Sequence, residues 1–288
     1  MKFGTLYSYW GNEWSCDYRR TAKKIKEIGF DIIEIGAGHL LEMSDRQLRE
    51  FRALTKDLDL AVSSNIGPAK EYDVASANPE IRKKGISYLC RIMEKMDAVD
   101  SRNLVGVTYT YWPNDFSDLD KHSLWERAVS SVRQTGRFAD SVGVDICLEV
   151  VNRFETLILN TAEEGIRFCD EVGEKRVKLL LDTFHMNIEE DNICESLSRC
   201  SGYLGALHVG EANRKLPGMG SLPWKEIGQV LRGIGFDGNV VMEPFMLSGG
   251  AVGRDIKVWR DLSGNASPEE MDKLIGQSLH FLKKSFEG

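Results

Sequence analysis

The stretch Val177-Lys-Leu-Leu-Leu-Asp182 is a short apolar run closed by a carboxylate, with His185 three residues further on. Such a run, bounded by polar residues, reads as a buried strand. Three other runs end in the same manner: Asp145-Ile-Cys-Leu into Glu149, Tyr203-Leu-Gly-Ala-Leu into His208, and Asn239-Val-Val-Met into Glu243. The four polar residues stand 33, 26 and 35 positions apart, each enough for a loop, a helix and the next strand of a parallel sheet. In a (β/α)8 barrel the C-terminal ends of the strands converge on one mouth, so these four residues can meet around a point.

Outward from them the alternation continues. Strand-like runs fall at Phe3 to Tyr7, Asp31 to Ile35, Leu60 to Ser64, Leu104 to Tyr109, Asp145 to Val150, Val177 to Asp182, Leu204 to Val209 and Val240 to Glu243. Charged amphipathic segments lie between them: Tyr18 to Ile28, Asp45 to Leu58, Pro79 to Met96, Ser123 to Val142, Ala162 to Val172, Ile193 to Cys200, Trp224 to Ile234 and Glu269 to Phe286. Eight βα repeats predict an α/β fold, a single TIM barrel in one domain over residues 1–288. Asn78-Pro79, Thr161 to Glu164 and Ser267 to Glu270 are helix-start signals, and Gly29, Gly143, Gly173 and Gly235 are placed to end helices in the left-handed conformation. Only the connection from Met246 to Ser267 is long, and long barrel loops commonly serve the mouth.

A net charge of −7 argues against a nucleic-acid binder, whose footprint is a basic patch. No apolar stretch approaches the about 20 residues of a membrane span. The six cysteines include no Cys-x-x-Cys pair, and no signal sequence precedes the first strand, so a cytoplasmic protein with reduced thiols is expected. There is no Gly-x-Ser-x-Gly elbow and no Walker lysine motif, and Gly249-Gly-Ala-Val-Gly253 does not run from a strand into a helix.

Three carboxylates beside one imidazole cannot all stay ionised unless a cation offsets them. Glu149, Asp182, His208 and Glu243 therefore read as ligands of one divalent metal, and the oxygen-rich set favours Mn²⁺, Co²⁺ or Mg²⁺ over a thiolate-type zinc site. The competing reading makes Asp182 and Glu243 ordinary caps of the next segment. A second ring of polar groups follows in the loops: Asn152, Arg153 and Glu155, then His185, then Glu211 and Arg214. Such loops suit a ligand covered in hydroxyls. Aromatics gather there too, with Tyr7, Tyr9, Trp10 and Trp14 after the first strand, Tyr109, Tyr111 and Trp112 after the fourth, and Phe245 after the eighth. They can stack on the carbon face of a small substrate or serve the core or a subunit contact.

At these loops the chain resembles the D-psicose (D-allulose) 3-epimerase and D-tagatose 3-epimerase family of ketose epimerases. The strings that carry the likeness are Glu149-Val-Val-Asn-Arg-Phe-Glu155, Asp182-Thr-Phe-His-Met-Asn-Ile-Glu-Glu190, His208-Val-Gly-Glu-Ala-Asn-Arg214, Met242-Glu-Pro-Phe245 and Ile256-Lys-Val-Trp-Arg-Asp261. The resemblance implies that Glu149, Asp182, His208 and Glu243 bind the metal and that Glu149 and Glu243 are also the catalytic acid and base. It implies that Glu155, His185 and Arg214 contact the carbon 1 to carbon 3 end of a ketohexose and that Trp112 and Phe245 form an apolar wall. Leu6, Trp14 and Val107 are expected to complete that wall. Leu6 stands where family members often carry an aromatic, and Val105-Gly-Val-Thr-Tyr109 where a Gly-Gly-Ala-type stretch is common, so substrate preference is open. Epimerisation at carbon 3 through an enediolate, by a homodimer or homotetramer, is the implied function. An aldose-ketose isomerase on the same barrel is the alternative, and a non-catalytic sugar-binding barrel the remote one.

Overall fold

Eight short parallel strands close on themselves in sequence order, each paired with the next and the eighth with the first. They are β1 (Lys2–Leu6), β2 (Ile32–Gly36), β3 (Ala61–Asn65), β4 (Asn103–Gly106), β5 (Asp145–Val150), β6 (Val177–Asp182), β7 (Leu204–Val209) and β8 (Asn239–Met242). The computed structural model describes residues 1–287. Outside the strands run α1 (Tyr18–Ile28), α2 (Asp45–Asp57), α3 (Pro79–Met96), α4 (Lys121–Val142), α5 (Ala162–Val172), α6 (Thr183–Glu189), α7 (Ile193–Arg199), α8 (Trp224–Gly233), α9 (Gly250–Ile256) and α10 (Pro268–Glu287). Among the described residues no helix is long and apolar enough to cross a membrane.

Local chemistry fixes where these elements start and stop. Asn78 caps α3 with Pro79 at its first position, and at the start of α10 the side chains of Ser267 and Glu270 each accept from the other's backbone N–H. Thr161 caps α5 through Glu164 N, but the Glu164 side chain accepts instead from Asn160 N, so this box is half formed. The glycines expected at helix ends, Gly29, Gly143, Gly173 and Gly235, all have positive φ.

Two cores result. The main one lies between strands and helices and includes Ile33, Ile35, Leu148, Leu181 and Leu207. A separate cluster of Val105, Cys147, Leu180 and Ala206 fills the barrel interior, one side chain from each of β4 to β7. Side chains along a strand alternate between these two environments, which is why the strands read as nearly continuous apolar runs.

Two expectations need correction. The fourth strand ends at Gly106 rather than Tyr109, because Gly106 takes a φ of +115°, and a Cβ there would lie 2.3 Å from the carbonyl oxygen of Ile66. The Met246 to Ser267 connection is partly helical, containing α9.

Candidate active site

Alternation along the strands lifts the functional side chains into the mouth. Cys147, Leu180 and Ala206 plug the barrel, and the inward residues two positions on are Glu149, Asp182 and His208. Asp182 and His208 are direct register partners on β6 and β7, and Glu243 directly follows β8. The four residues are buried, and each offers one ligand atom to a group lying within 4.8 Å of one another. Asp182 also caps α6, since its Oδ1 accepts from the N–H groups of Phe184 at 2.6 Å and His185 at 3.2 Å. The capping role thus falls to Oδ1, and Oδ2 is left without a hydrogen-bond partner.

The electrostatics of the cluster call for a cation. Burial and the charge of Glu243 push the Glu149 carboxyl well above its ordinary range, and burial takes Asp182 up to about 6 against the attraction of Arg214. For His208 burial disfavours the charged ring, but Glu34 and Glu243 on either side override it and raise its proton affinity well above normal. Asp182 Oδ2 and both ring nitrogens of His208 are buried without an aligned hydrogen-bond partner. Hard oxygen donors and one imidazole, with Asp182 Oδ2 and the His208 nitrogen on the Glu243 side left unpartnered, fit a divalent ion.

Above this floor opens a cavity of about 380 Å³. Glu149, Glu155, His185, Arg214, Glu243, Trp112, Phe245, Leu6, Trp14 and Val107 all line it, whereas Asp182 and His208 lie beneath. His185 Nδ1 accepts from the Asn152 N–H at 3.2 Å and sits 2.8 Å from its side-chain amide nitrogen. The proton is thereby fixed on Nε2, which faces Glu149 Oε1 at 3.8 Å. Burial drives the pKa of this ring down to about 3, so it is a neutral donor.

Arg214 is held with unusual closeness for a loop residue. Its guanidinium lies 3.7 Å above the Phe184 ring, with one nitrogen 3.2 Å from Glu155 Oε1 and another 3.8 Å from Glu243 Oε2. Glu155 also accepts from Trp112 Nε1 at 2.9 Å; burial raises its pKa, but the Arg214 guanidinium and this hydrogen bond help hold it below the ordinary carboxylate value. Trp14 meets Trp112 and Phe245 edge-on, each at 6.0 Å, and its Nε1 donates to Asp255 of α9 at 2.9 Å.

Not every aromatic of the mouth loops reaches the cavity. Tyr7 does, but the Tyr9 hydroxyl bonds Met271 O, Trp10 bonds Asp272, Tyr109 bonds the Glu149 carbonyl from the core, and Tyr111 bonds Asp115. These four are tied to the scaffold. Conversely, His39, Glu42, Tyr88 and Ile256 line the outer part of the cavity and were missed. They lie on helical or turn segments where only tertiary packing aims them. Glu34 was also missed, although the sequence Ile32-Ile-Glu-Ile35 places a carboxylate inside an apolar strand, which was signal enough.

The family model described as xylose isomerase-like TIM barrel matches residues 22–283. The chain is 43% identical to the D-psicose 3-epimerase of Ruminiclostridium cellulolyticum, over all of this chain and 98% of that protein. It is 42% identical to the D-psicose 3-epimerase of Agrobacterium fabrum, over 98% of each. It superposes on a crystal structure of D-psicose 3-epimerase in the presence of D-fructose with a TM-score of 0.98, at 42% identity and with full coverage of both chains.

Proposed function

Because the chain belongs to the ketose 3-epimerases of the xylose isomerase-like TIM-barrel family, and so to the isomerases acting on sugars, we propose that it epimerises free ketohexoses at carbon 3, in the D-psicose/D-fructose and D-tagatose/D-sorbose class, with one divalent metal per subunit. Mn²⁺ or Co²⁺ is the expected ion, with Mg²⁺ the alternative. One observation carries this reading: Glu149 and Glu243 reach the same small cavity from strands separated by β6 and β7, above a floor of ligand type.

Inversion at carbon 3 removes a proton beside a carbonyl and returns one from the opposite face, so it needs two bases on two sides. Positioned acid–base groups supply roughly 10² to 10⁴ in rate, about 3 to 5 kcal/mol, which falls short of typical enzymatic accelerations of at least about 10⁶. Glu149, Asp182, His208 and Glu243 would hold the divalent ion, which would supply the remaining charge stabilisation as a Lewis acid. Glu149 or Glu243 takes the proton from carbon 3, and the other delivers one to the opposite face, with roles exchanged in the reverse direction. His185, as a neutral Nε2–H donor, and Arg214 steady charge on the carbonyl oxygen. Glu155, already accepting from Trp112 and Arg214, keeps lone pairs for a sugar hydroxyl. Trp14, Trp112 and Phe245 cover the carbon face and exclude water. Leu6 and Val107 make the far wall apolar, which would tune the preferred configuration at carbon 4.

The test is a panel of ketohexoses assayed with Mn²⁺ or Co²⁺ and again after chelation. Carbon 3 epimers formed only with metal support the proposal. Aldoses as sole products would favour the aldose-ketose isomerase, and activity indifferent to chelation would remove the metal from the scheme. A homodimer or homotetramer is the expected assembly, to be read from light scattering on the purified protein.

A further inference from the structure

Glu34 is a carboxylate in the barrel interior that the reaction scheme leaves idle. It is 0% exposed and sits midway along β2, directly opposite Ser63 of β3. Its Oε2 accepts from Ser63 Oγ at 2.8 Å and its Oε1 from Asn65 Nδ2 at 3.2 Å. Two neutral donors do not compensate an ionised group fully removed from water. The remaining contact is with His208: Nε2 lies 2.9 Å from Glu34 Oε1. Strands β8 and β1 separate β7 from β2, so this contact is made across the interior rather than along the sheet.

The two ring nitrogens of His208 thus face different carboxylates. Nδ1 lies 3.5 Å from Glu243 Oε2, on the side of the ligand cluster, whereas Nε2 faces Glu34. Glu34 is not part of the cluster whose ligand atoms lie within 4.8 Å of one another. It stands on the far side of the imidazole and cannot share an ion with Glu149, Asp182 and Glu243.

We propose that Glu34 is a positioning residue of the metal centre: it keeps the His208 proton on Nε2, so that the Nδ1 lone pair faces the space shared by Glu149, Asp182 and Glu243. The physical reason is that a neutral imidazole has one N–H, and the charge of a buried carboxylate 2.9 Å from one nitrogen favours the tautomer carrying the proton there, even where the contact is not aligned as a hydrogen bond. A carboxylate behind a ligating histidine fixes ring orientation and makes the ring a better donor, and removal of such a partner typically weakens metal binding about 10- to 100-fold. Ser63 and Asn65 in turn hold Glu34. The inference rests on the metal reading above.

The experiment measures Mn²⁺ dissociation constants by electron paramagnetic resonance titration for the wild type and for Glu34→Gln, with unfolding midpoints of both metal-free proteins. Binding weakened about 10- to 100-fold in a folded Glu34→Gln protein supports the proposal. Unchanged affinity with a lowered metal-free midpoint would show a merely structural residue and overturn it. Wild type that binds no Mn²⁺ would instead defeat the metal reading itself. Should Glu34→Gln not fold, the wild type decides: in ¹⁵N-histidine spectra of the Mg²⁺-loaded protein, with His208 assigned through His208→Asn, a protonated Nε2 is expected. A proton on Nδ1 overturns the assignment.

Discussion

In metal-free protein at pH 8, replacing Asp182 by Asn should raise the unfolding temperature. Asp182 is fully buried, and burial lifts its pKa from 3.8 to about 6, with Glu243 adding to the shift and Arg214 and His208 opposing it. A carboxyl whose folded pKa lies above its unfolded one binds an extra proton in the folded state. Ionising it therefore costs stability at high pH, and the cost fades as pH falls from 6 towards 4. A shift of about two pH units at about 1.4 kcal/mol each is about 3 kcal/mol at pH 8, a proton affinity shared with the neighbouring glutamates. Asparagine keeps the Oδ1 acceptor that caps α6 and removes the charge. At about 2.1 cal/mol/K per residue, unfolding 288 residues has an entropy near 0.6 kcal/mol/K, so the gain is about 5 °C. Mn²⁺ at about 1,000 times its dissociation constant should then stabilise the wild type by about 4 kcal/mol, or about 7 °C, and reverse the order, since Asp182→Asn loses a ligand. Circular dichroism melts in EDTA at pH 8 and pH 5, repeated with Mn²⁺, measure each quantity. A variant that melts below the wild type at pH 8 in EDTA, or whose advantage is equal at both pH values, would refute the electrostatic reasoning.

Glu149→Gln and Glu243→Gln should each slow exchange of solvent deuterium into carbon 3 of D-psicose by at least about 10²; proton NMR in D₂O reads this, and full exchange in both would end the two-carboxylate scheme. Trp112→Phe keeps an aromatic ring but strips Glu155 of one of its donors, a hydrogen bond to a charged group worth about 1.5 to 3 kcal/mol, so KM should rise roughly 10- to 100-fold with kcat little changed. Glu211 is fully buried and accepts from Gly218 N at 2.8 Å, Trp224 Nε1 at 2.7 Å and Leu222 N at 3.3 Å. Glu211→Ala leaves all three unpaired and should cost about 3 to 5 kcal/mol, seen as a midpoint lowered by about 5 to 8 °C. His185, held neutral until about pH 3, should show no protonation between pH 7 and pH 4 in an NMR titration. A midpoint near its ordinary value of 6.5 would contradict the burial argument.

The legible part of this molecule was the part governed by local pattern. The starts of α1, α3 and α5 follow from capping residues, and the ends of α1 and α5 from terminal glycines, that act within a few positions. Strand ends were legible where an apolar run met a charge, as at Asp182. They failed at Gly106, where the carbonyl of Ile66 on a neighbouring loop, distant in sequence, decides that only glycine fits. Tyr9 and Tyr109 look equivalent to Trp112 in sequence, yet their hydroxyls are claimed by Met271 and by the Glu149 carbonyl, while Trp112 turns to Glu155.

By itself the sequence determined the barrel and the identity of its four convergent strand-end residues, because a strand's side chains alternate and parallel strands end at one mouth. It also carried the loop strings that mark the ketose epimerases. Only the tertiary structure decided which nitrogen of His208 faces the cluster and which faces Glu34, that Asp182 and His208 lie under the cavity while Glu149 and Glu243 open into it, and that Arg214 rests on Phe184. Those facts depend on distances across the barrel, between residues more than 25 positions apart in the chain, where no local periodicity reaches.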